Sequence, residues 1–354
     1  MSATIMRQID KIFKGGEYLK VCLYFEGYEK IKQSGIGKAM QHQTAALKAN
    51  GIDYTLDADD DYDILHINTI FFKSRGVIKK ARRRGAKVIY HAHSTPEDTR
   101  NSFLFSNLAS GIVKRYLISL YKKADFIITP TPYSKSLVEK YVADVPVRAV
   151  SNGIDLNRFC TSSEKAEKFR NYFGLKKDEH VIVSAGLWIK RKGILDFIEV
   201  ARRMPDIKFI WFGHTNPALI PREIRRAVKS DHPSNVIFPG YMSGDVFEGA
   251  FAGADLFFFP SLEETEGIVI LEALASRALT VIRDIPAYDG WMENGVNCYK
   301  GKNIDEFVEL INKALKSDNT QIIENGHKTA EERSLENVGK ILGEIYKDVY
   351  SGNY

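Results

Sequence analysis

Two acidic residues eight apart, Glu264 and Glu272, stand in the run Pro260-Ser261-Leu262-Glu263-Glu264-Thr265-Glu266-Gly267-Ile268-Val269-Ile270-Leu271-Glu272-Ala273-Leu274-Ala275. The tail of this run is apolar on nearly every face, which predicts a buried helix. Eight residues along a helix span at most about 12 Å, a separation that lets two carboxylates grip hydroxyls at two ends of one elongated ligand. Carboxylates are strong acceptors for such hydroxyls. Attraction to the amino end of the helix accounts for Glu263, Glu264 and Glu266. It does not account for Glu272.

Three further groupings carry chemical meaning. Ser34-Gly35-Ile36-Gly37 comes between a predicted strand and a predicted helix, where glycines let backbone approach a phosphate and helix amides supply partial positive charge. A third glycine of the dinucleotide fingerprint is missing, and no acidic residue closes the second strand in the expected manner, which argues against a nicotinamide-dependent dehydrogenase. A plain strand-to-helix turn is the other reading of these glycines. His91 and His93, taken as lying on alternate faces at a strand end, read in the plain case as one structural and one exposed ring. Asp57, Asp59, Asp60, Asp61 and Asp63 have the composition of a metal site but lie in a loop before a strand, and are read as a solvated turn with no metal.

The elements that must position these residues form two series. Apolar runs at 20–25, 64–67, 87–91, 126–129 and 147–150 alternate with amphipathic stretches at 38–49, 71–84, 108–123 and 134–141. A Ser151-Asn152-Gly153-Ile154-Asp155 turn and a polar interval over 161–179 follow. The alternation then resumes, with strands at 181–185, 208–212, 236–238, 256–259 and 279–283 and helices at 194–203, 221–229, 268–277 and 304–315; 320–350 reads as one or two closing helices. Strand and helix in alternation imply parallel sheets. Two doubly wound α/β domains are therefore expected, 1–150 and 151–334, with a terminal helix at about 335–354 returning to the first. Ligands of such sheets bind at the carboxyl ends of the strands, so the site is expected where two sets of strand ends face each other.

A length of 354 residues fits about two domains. With 44% apolar and 27% charged residues the chain has globular composition. No apolar run is long enough to cross a bilayer and no secretory leader is visible, so the chain is expected in the cytoplasm. Cys22, Cys160 and Cys298 form no CxxC pair and are expected to be reduced and buried. The net charge of +5 conceals an asymmetry: residues 1–150 hold 24 Lys and Arg against 15 Asp and Glu, and the remainder 26 against 30. A basic first half predicts an anionic partner, a membrane surface or a nucleic acid.

Glu264 and Glu272, with Gly267 between them, Pro260-Ser261 before and Glu272-Ala273-Leu274-Ala275 after, resemble the E-x7-E motif of the retaining glycosyltransferases of family 4. The Gly35 to Gly37 loop, the His93-Ser94 strand end, the Asn152-Gly153-Ile154-Asp155 turn and a Gly186 to Gly193 segment ending in Lys192-Gly193 extend the resemblance over nearly the whole chain from Leu19. It implies the GT-B fold, two facing Rossmann-like domains with an interdomain cleft. Within the family, Ser34-Gly35-Ile36-Gly37-Lys38, Tyr90-His91-Ala92-His93-Ser94-Thr95-Pro96-Glu97-Asp98 and Glu263-Glu264-Thr265-Glu266-Gly267-Ile268-Val269 are similar to Gram-positive enzymes that add a second hexose to monoglucosyldiacylglycerol, building the lipoteichoic acid anchor.

Residue by residue, the resemblance implies that Glu272 binds the ribose of a uridine nucleotide and Glu264 the hexose hydroxyls. Arg191 and Lys192 face the diphosphate, Gly35 and Gly37 touch it from the opposite domain, and Gly267 belongs to the donor site. His93 contacts a sugar hydroxyl, and Glu97 and Asp98 lie near the acceptor. The donor is UDP-galactose or UDP-glucose, with no cofactor required. Leu187 replaces the usual Arg after the first glycine of the second domain, and Glu266 replaces a common Phe.

Between Lys73 and Pro96 eight basic residues occur with no acid, among them Lys79, Lys80, Arg82, Arg83 and Arg84. Lys114, Arg115, Lys122 and Lys123 interleave with apolar residues at helical spacing, and Ile5, Met6, Ile9, Ile12 and Phe13 with Arg7, Lys11 and Lys14 form a candidate amphipathic leader. This pattern fits helices lying on an anionic membrane. The expected protein is a hexosyltransferase peripheral on the inner face of the cell membrane, acting on a diacylglycerol glycolipid. The other readings are a family member with a polysaccharide or soluble acceptor, and a membrane- or nucleic-acid-binding protein without catalysis; no nucleic-acid module is recognisable.

Overall fold

Strands that read as unbroken apolar runs need cover on both faces, and a parallel sheet flanked by helices provides it. The computed structural model describes residues 19–32, 34–94 and 106–354 and contains two such sheets. The first consists of β1 (Lys20–Tyr24), β2 (Asp53–Thr55), β3 (Ile64–Ile67), β4 (Lys87–His91), β5 (Phe126–Thr129) and β6 (Val147–Ala149). Their spatial order is β2-β1-β3-β4-β5-β6, and all are parallel. The second holds β7 (Val181–Ala185), β8 (Lys208–Phe212), β9 (Val236–Gly240), β10 (Leu256–Phe259), β11 (Thr280–Arg283) and β12 (Tyr299–Gly301), in the order β12-β11-β10-β7-β8-β9, again all parallel. The expected pair of doubly wound α/β units is what forms. The strands absent from the sequence reading, β2 and β12, are three-residue edge strands; β2 is half-buried to exposed and so has no apolar run to announce it.

In chain order the helices are α1 (Tyr28–Ile31), α2 (Gly35–Ala49), α3 (Ser74–Arg83), α4 (Ser106–Tyr121), α5 (Pro132–Tyr141), α6 (Ser163–Tyr172), α7 (Ile194–Arg203), α8 (Arg222–Lys229), α9 (Asp245–Gly253), α10 (Ile268–Ala275), α11 (Ile304–Ala314), α12 (Thr320–Glu331) and α13 (Leu335–Ser351). Helix α6 lies inside the interval read as merely polar, because Phe169 is its one fully buried side chain. It packs on α9, where a Cβ added to Gly249 would stand 2.0 Å from the Lys165 carbonyl oxygen. Backbone here meets backbone, so neither side can yield. Gly249→Ala is therefore expected to lower stability by about 1–3 kcal/mol, read as a fall in the urea midpoint with unchanged slope.

Helix α13 buries Leu335, Val338, Leu342, Ile345, Tyr346 and Val349 against Leu23, Leu47, Ile64 and Ile89 of the first sheet's layer. The last helix thereby ties the two lobes together. Cys22 and Cys298 are buried as expected, but Cys160 is exposed, because it follows the 151–159 turn at the start of a surface segment. The acidic turn is held by bases: Lys20 Nζ lies 2.7 Å from Asp60, Lys80 pairs with Asp59, and Arg84 donates to the carbonyls of Asp59 and Asp60.

Candidate active site

The carboxyl edges of the two sheets face each other, and side-chain contacts cross between them. Lys38 Nζ lies 2.6 Å from Glu272 Oε1. Thr131 Oγ1 donates to the Thr265 carbonyl at 2.8 Å, and Tyr133 OH to Glu263 Oε1 at 3.2 Å. The amide N–H and side-chain Nδ2 of Asn152 donate to Glu266 Oε2 at 3.0 and 2.6 Å. The loop after β10 is thus fastened to the amino end of α5 and to the interdomain turn. Glu266, at the position where the resemblance expects Phe, is buried as a fastener rather than turned to a ligand, and burial raises its carboxyl above the usual range.

Glu264 and Glu272 are both buried, with 5% and 1% of their surface exposed. Gly267, at a φ of 86° that favours glycine, turns the chain from the β10 loop into α10 and so places Glu264 before the helix and Glu272 within it. Ser261 Oγ and Lys192 Nζ donate to Glu264 Oε1 at 2.6 and 2.5 Å, and Arg191 Nη1 lies 4.0 Å from Oε2. Burial pushes the Glu264 carboxyl up, but the charges of Lys192 and Arg191 and the two hydrogen bonds outweigh it and hold the group below its ordinary range. It is ionised at neutral pH.

The Lys192 ammonium also sits 5.2 Å from the Phe259 ring centre, and Arg191 Nη1 donates to the Glu263 carbonyl at 2.7 Å. Gly193, at φ 75°, allows this turn because a Cβ there would stand 2.1 Å from the Pro260 carbonyl oxygen. Lys192 and Arg191 are therefore presented to the same point as Glu264 by a backbone that admits no other residue. Leu187 packs into the apolar layer, and its position supplies no charge.

The two glycines of the amino-end loop differ. Gly35 opens α2 with open space around it, whereas a Cβ on Gly37 would meet the Ile31 carbonyl oxygen at 2.3 Å. The Gly37 amide donates to Ser34 Oγ at 3.2 Å. Gly37 is thus required by the close passage of α1, and among the described residues the amides of Gly35 and Ile36 are those left at the helix start.

The histidines correct the expectation of alternate faces, since residues two apart on an extended chain lie on one face. Both His91 and His93 are buried, and their rings stack 3.9 Å apart at 7°. The strand ends at His91, and the His93 N–H donates to the His91 carbonyl at 3.0 Å, a bend that folds residue 93 back over residue 91. His66 continues the stack 5.5 Å beyond His91. Gln43 Nε2 donates to His91 Nδ1 at 2.6 Å, Asn68 Oδ1 lies 2.9 Å from His93 Nε2, and the Tyr346 hydroxyl lies 2.7 Å from His66 Nδ1. Gln43, Asn68, His66 and Tyr346 carry no local signal of these pairings; His66 and Tyr346 stand 280 residues apart in the chain. Glu97 and Asp98 lie outside the described residues, as do residues 1–18.

The basic residues of the first lobe are on its surface. Lys79, Arg82, Arg83, Arg84, Lys114, Arg115, Lys122 and Lys123 are exposed, and Lys80 is half-buried. Arg82 reaches Asp125 at 3.1 Å. Phe72 and Ile112 of the same lobe are 85% and 77% exposed. The surface of this lobe thus carries large apolar side chains as well as cations.

The description "Glycosyltransferase Family 4" matches residues 39–158, and "Glycosyl transferases group 1" matches 165–329. The processive diacylglycerol alpha-glucosyltransferase of Acholeplasma laidlawii is 46% identical over 332 residues, covering 94% of this chain and 98% of that protein. This chain belongs to the family 4 glycosyltransferases. The alpha-galactosylglucosyldiacylglycerol synthase of Streptococcus pneumoniae is 28% identical over 80% of this chain and 77% of its own length. Among solved structures, Anabaena Alr3699/HepE in complex with UDP and glucose superposes with a TM-score of 0.73 at 17% identity, over 93% of this glycosyltransferase and 100% of that chain. That likeness shows the shared two-lobed GT-B fold.

Proposed function

We propose that this glycosyltransferase moves an α-glucosyl or α-galactosyl unit from its uridine diphosphate ester to a diacylglycerol glycolipid, with retention, at the inner face of a membrane. The observation that carries the reading is the pair of buried, cation-bound carboxylates where the two sheets' carboxyl edges meet. Both are acceptors placed for a ligand rich in hydroxyls. The name of the 46% relative favours glucose as the sugar and diacylglycerol or its monoglucosyl derivative as acceptor. A place in building the lipoteichoic acid anchor is consistent with the same acceptor.

In this reading Glu272 accepts from the ribose and Glu264 from the hexose. Lys192 and Arg191 neutralise charge that grows on the diphosphate as the glycosidic bond breaks. The departing phosphate oxygen takes the proton of the acceptor hydroxyl on the face it has just left, so the configuration is kept and no protein nucleophile is required. His93 is uncharged there, since burial, against a weaker opposing bond from Asn152, lowers its pKa to about 3. A neutral ring can orient a sugar hydroxyl without competing for the diphosphate.

Incubation of the protein with each UDP-hexose and vesicles containing diacylglycerol or monoglucosyldiacylglycerol, followed by mass and linkage analysis, tests the reading. An α-linked glycolipid is expected; transfer to water-soluble sugars alone would overturn the acceptor. The exposed cations supply a second test. Each basic residue near an anionic surface is worth about 1 kcal/mol, so Lys79→Glu with Arg83→Glu and Lys122→Glu is expected to reduce sedimentation with anionic vesicles by about 100-fold or more. Soluble-donor hydrolysis is the internal control, and equal sedimentation of variant and parent would remove the membrane face from the proposal.

A further inference from the structure

Lys38 has no task in the reading above, and its surroundings give it one. It is the fourth residue of α2, and its ammonium lies 2.6 Å from Glu272 Oε1 and 5.3 Å from the Phe247 ring centre. The Glu272 side chain is 1% exposed and that of Lys38 30% exposed, so one partner is fixed and dry while the other reaches solvent. Glu272 Oε2 makes no hydrogen bond among the described residues. A buried carboxylate in this condition is incompletely satisfied. Side chains on a helix lean toward its amino end, and Lys38 stands only about 4.5 Å along the axis from Gly35. Its four-carbon stem therefore reaches the amino end of α2, where the helix amides and dipole favour an anion.

We propose that Lys38 is an exchangeable cation that occupies Glu272 in place of a ribose and moves to the diphosphate when a nucleotide binds. The inference rests on the reading of Glu272 as the ribose ligand. A ribose diol offers two donors to the two oxygens of Glu272, including the one now bare. The diphosphate then supplies the negative charge that Lys38 gives up. A nucleoside without phosphates must displace the lysine and leave it with no new counter-ion. The exchange therefore couples recognition of the ribose to recognition of the diphosphate, and discriminates against nucleosides.

Competition titrations of the full chain with uridine and with UDP test this, using the parent protein, Lys38→Met, Lys38→Gln and Glu272→Gln. Lys38→Met is expected to bind uridine more tightly and UDP at least about tenfold more weakly, because a charge-assisted contact is lost. Lys38→Gln keeps a donor beside Glu272, guards against loss of folding, and is expected to shift the UDP-to-uridine preference in the same direction. An unchanged preference in both folded lysine variants, while Glu272→Gln weakens both ligands, would overturn the exchange alone. Glu272→Gln without effect on either ligand would instead overturn the ribose reading and the proposal with it.

Discussion

Glu264→Gln is expected to lower sugar transfer by about 100- to 1,000-fold, the loss typical of removing one preorganised charged contact from a transition state. The carboxylate accepts from Ser261 at 2.6 Å and from Lys192 at 2.5 Å through one oxygen, with Arg191 4.0 Å from the other. An amide keeps the shape and one acceptor oxygen. It removes the charge that holds two cations at one point. The expected consequence is a fall in turnover, because Lys192 and Arg191 are no longer aimed at the breaking bond, and a fall in hexose recognition, because a neutral oxygen is a weaker acceptor for a hydroxyl.

Two controls separate this from damage to the fold. Truncating one partner of a buried pair leaves the other charge uncompensated and costs about 3–5 kcal/mol in severe cases. Lys192→Met is therefore measured beside Glu264→Gln, and both together, for transfer and for thermal midpoint. The double variant is expected to regain stability and no activity. Acceptor-independent hydrolysis of the UDP-hexose is the simplest readout. If Glu264→Gln hydrolyses the donor at the parental rate, Glu264 does not touch the hexose and the assignment of the site is wrong.

The sequence makes some parts of this arrangement legible for identifiable reasons. Leu256–Phe259 is four apolar residues in a row with Pro260 after it, and a buried parallel strand ending at a ligand loop is the natural outcome. The α10 segment declares itself in the same way, since one carboxylate inside an otherwise apolar helix has no structural reason to be there. The paired use of Asn152 and Glu266 is half legible: both residues stand in motifs that attract attention, but the bond between them belongs to the closed fold. The histidine geometry is half legible: residues two apart on an extended chain share a face, so His91 and His93 belong together, whereas the addition of His66 to the stack belongs to the closed fold. Lys38 and Glu272 lie 234 residues apart, and no local pattern relates them. Local rules therefore place each element, while contacts between lobes are decided by how the two sheets meet.

The stacked histidines lead to an acid lability that is expected to exceed any single substitution in size. Burial lowers the pKa of His66 and of His93 to about 3 and that of His91 well below its ordinary value, and it lowers His42 as well. Neighbouring rings add to the effect at His66 and His91. In the unfolded chain all four titrate near 6.5. Below that pH the unfolded state takes up protons that the native state refuses, so the stability these rings contribute is present above pH 6.5 and is lost as the pH falls toward 3. Each lowered histidine costs about 1.4 kcal/mol per pH unit across that window. The three stacked rings then remove about 6 kcal/mol between pH 6.5 and pH 5, against a total of about 5–15 kcal/mol for a folded domain. The raised carboxyl of Glu266 opposes the trend and the lowered carboxyl of Glu264 reinforces it at still lower pH. Urea midpoints are accordingly expected to fall steeply between pH 7 and pH 5. His66→Phe keeps the stack on His91 and loses the bond to Tyr346, so it is expected to be less stable at pH 7 and to show a pH slope shallower by about one proton. A midpoint that holds steady from pH 7 to pH 5, or an identical slope in His66→Phe, would mean that the rings are charged or hydrated in the folded protein, and the neutral His93 of the proposed site would go with them.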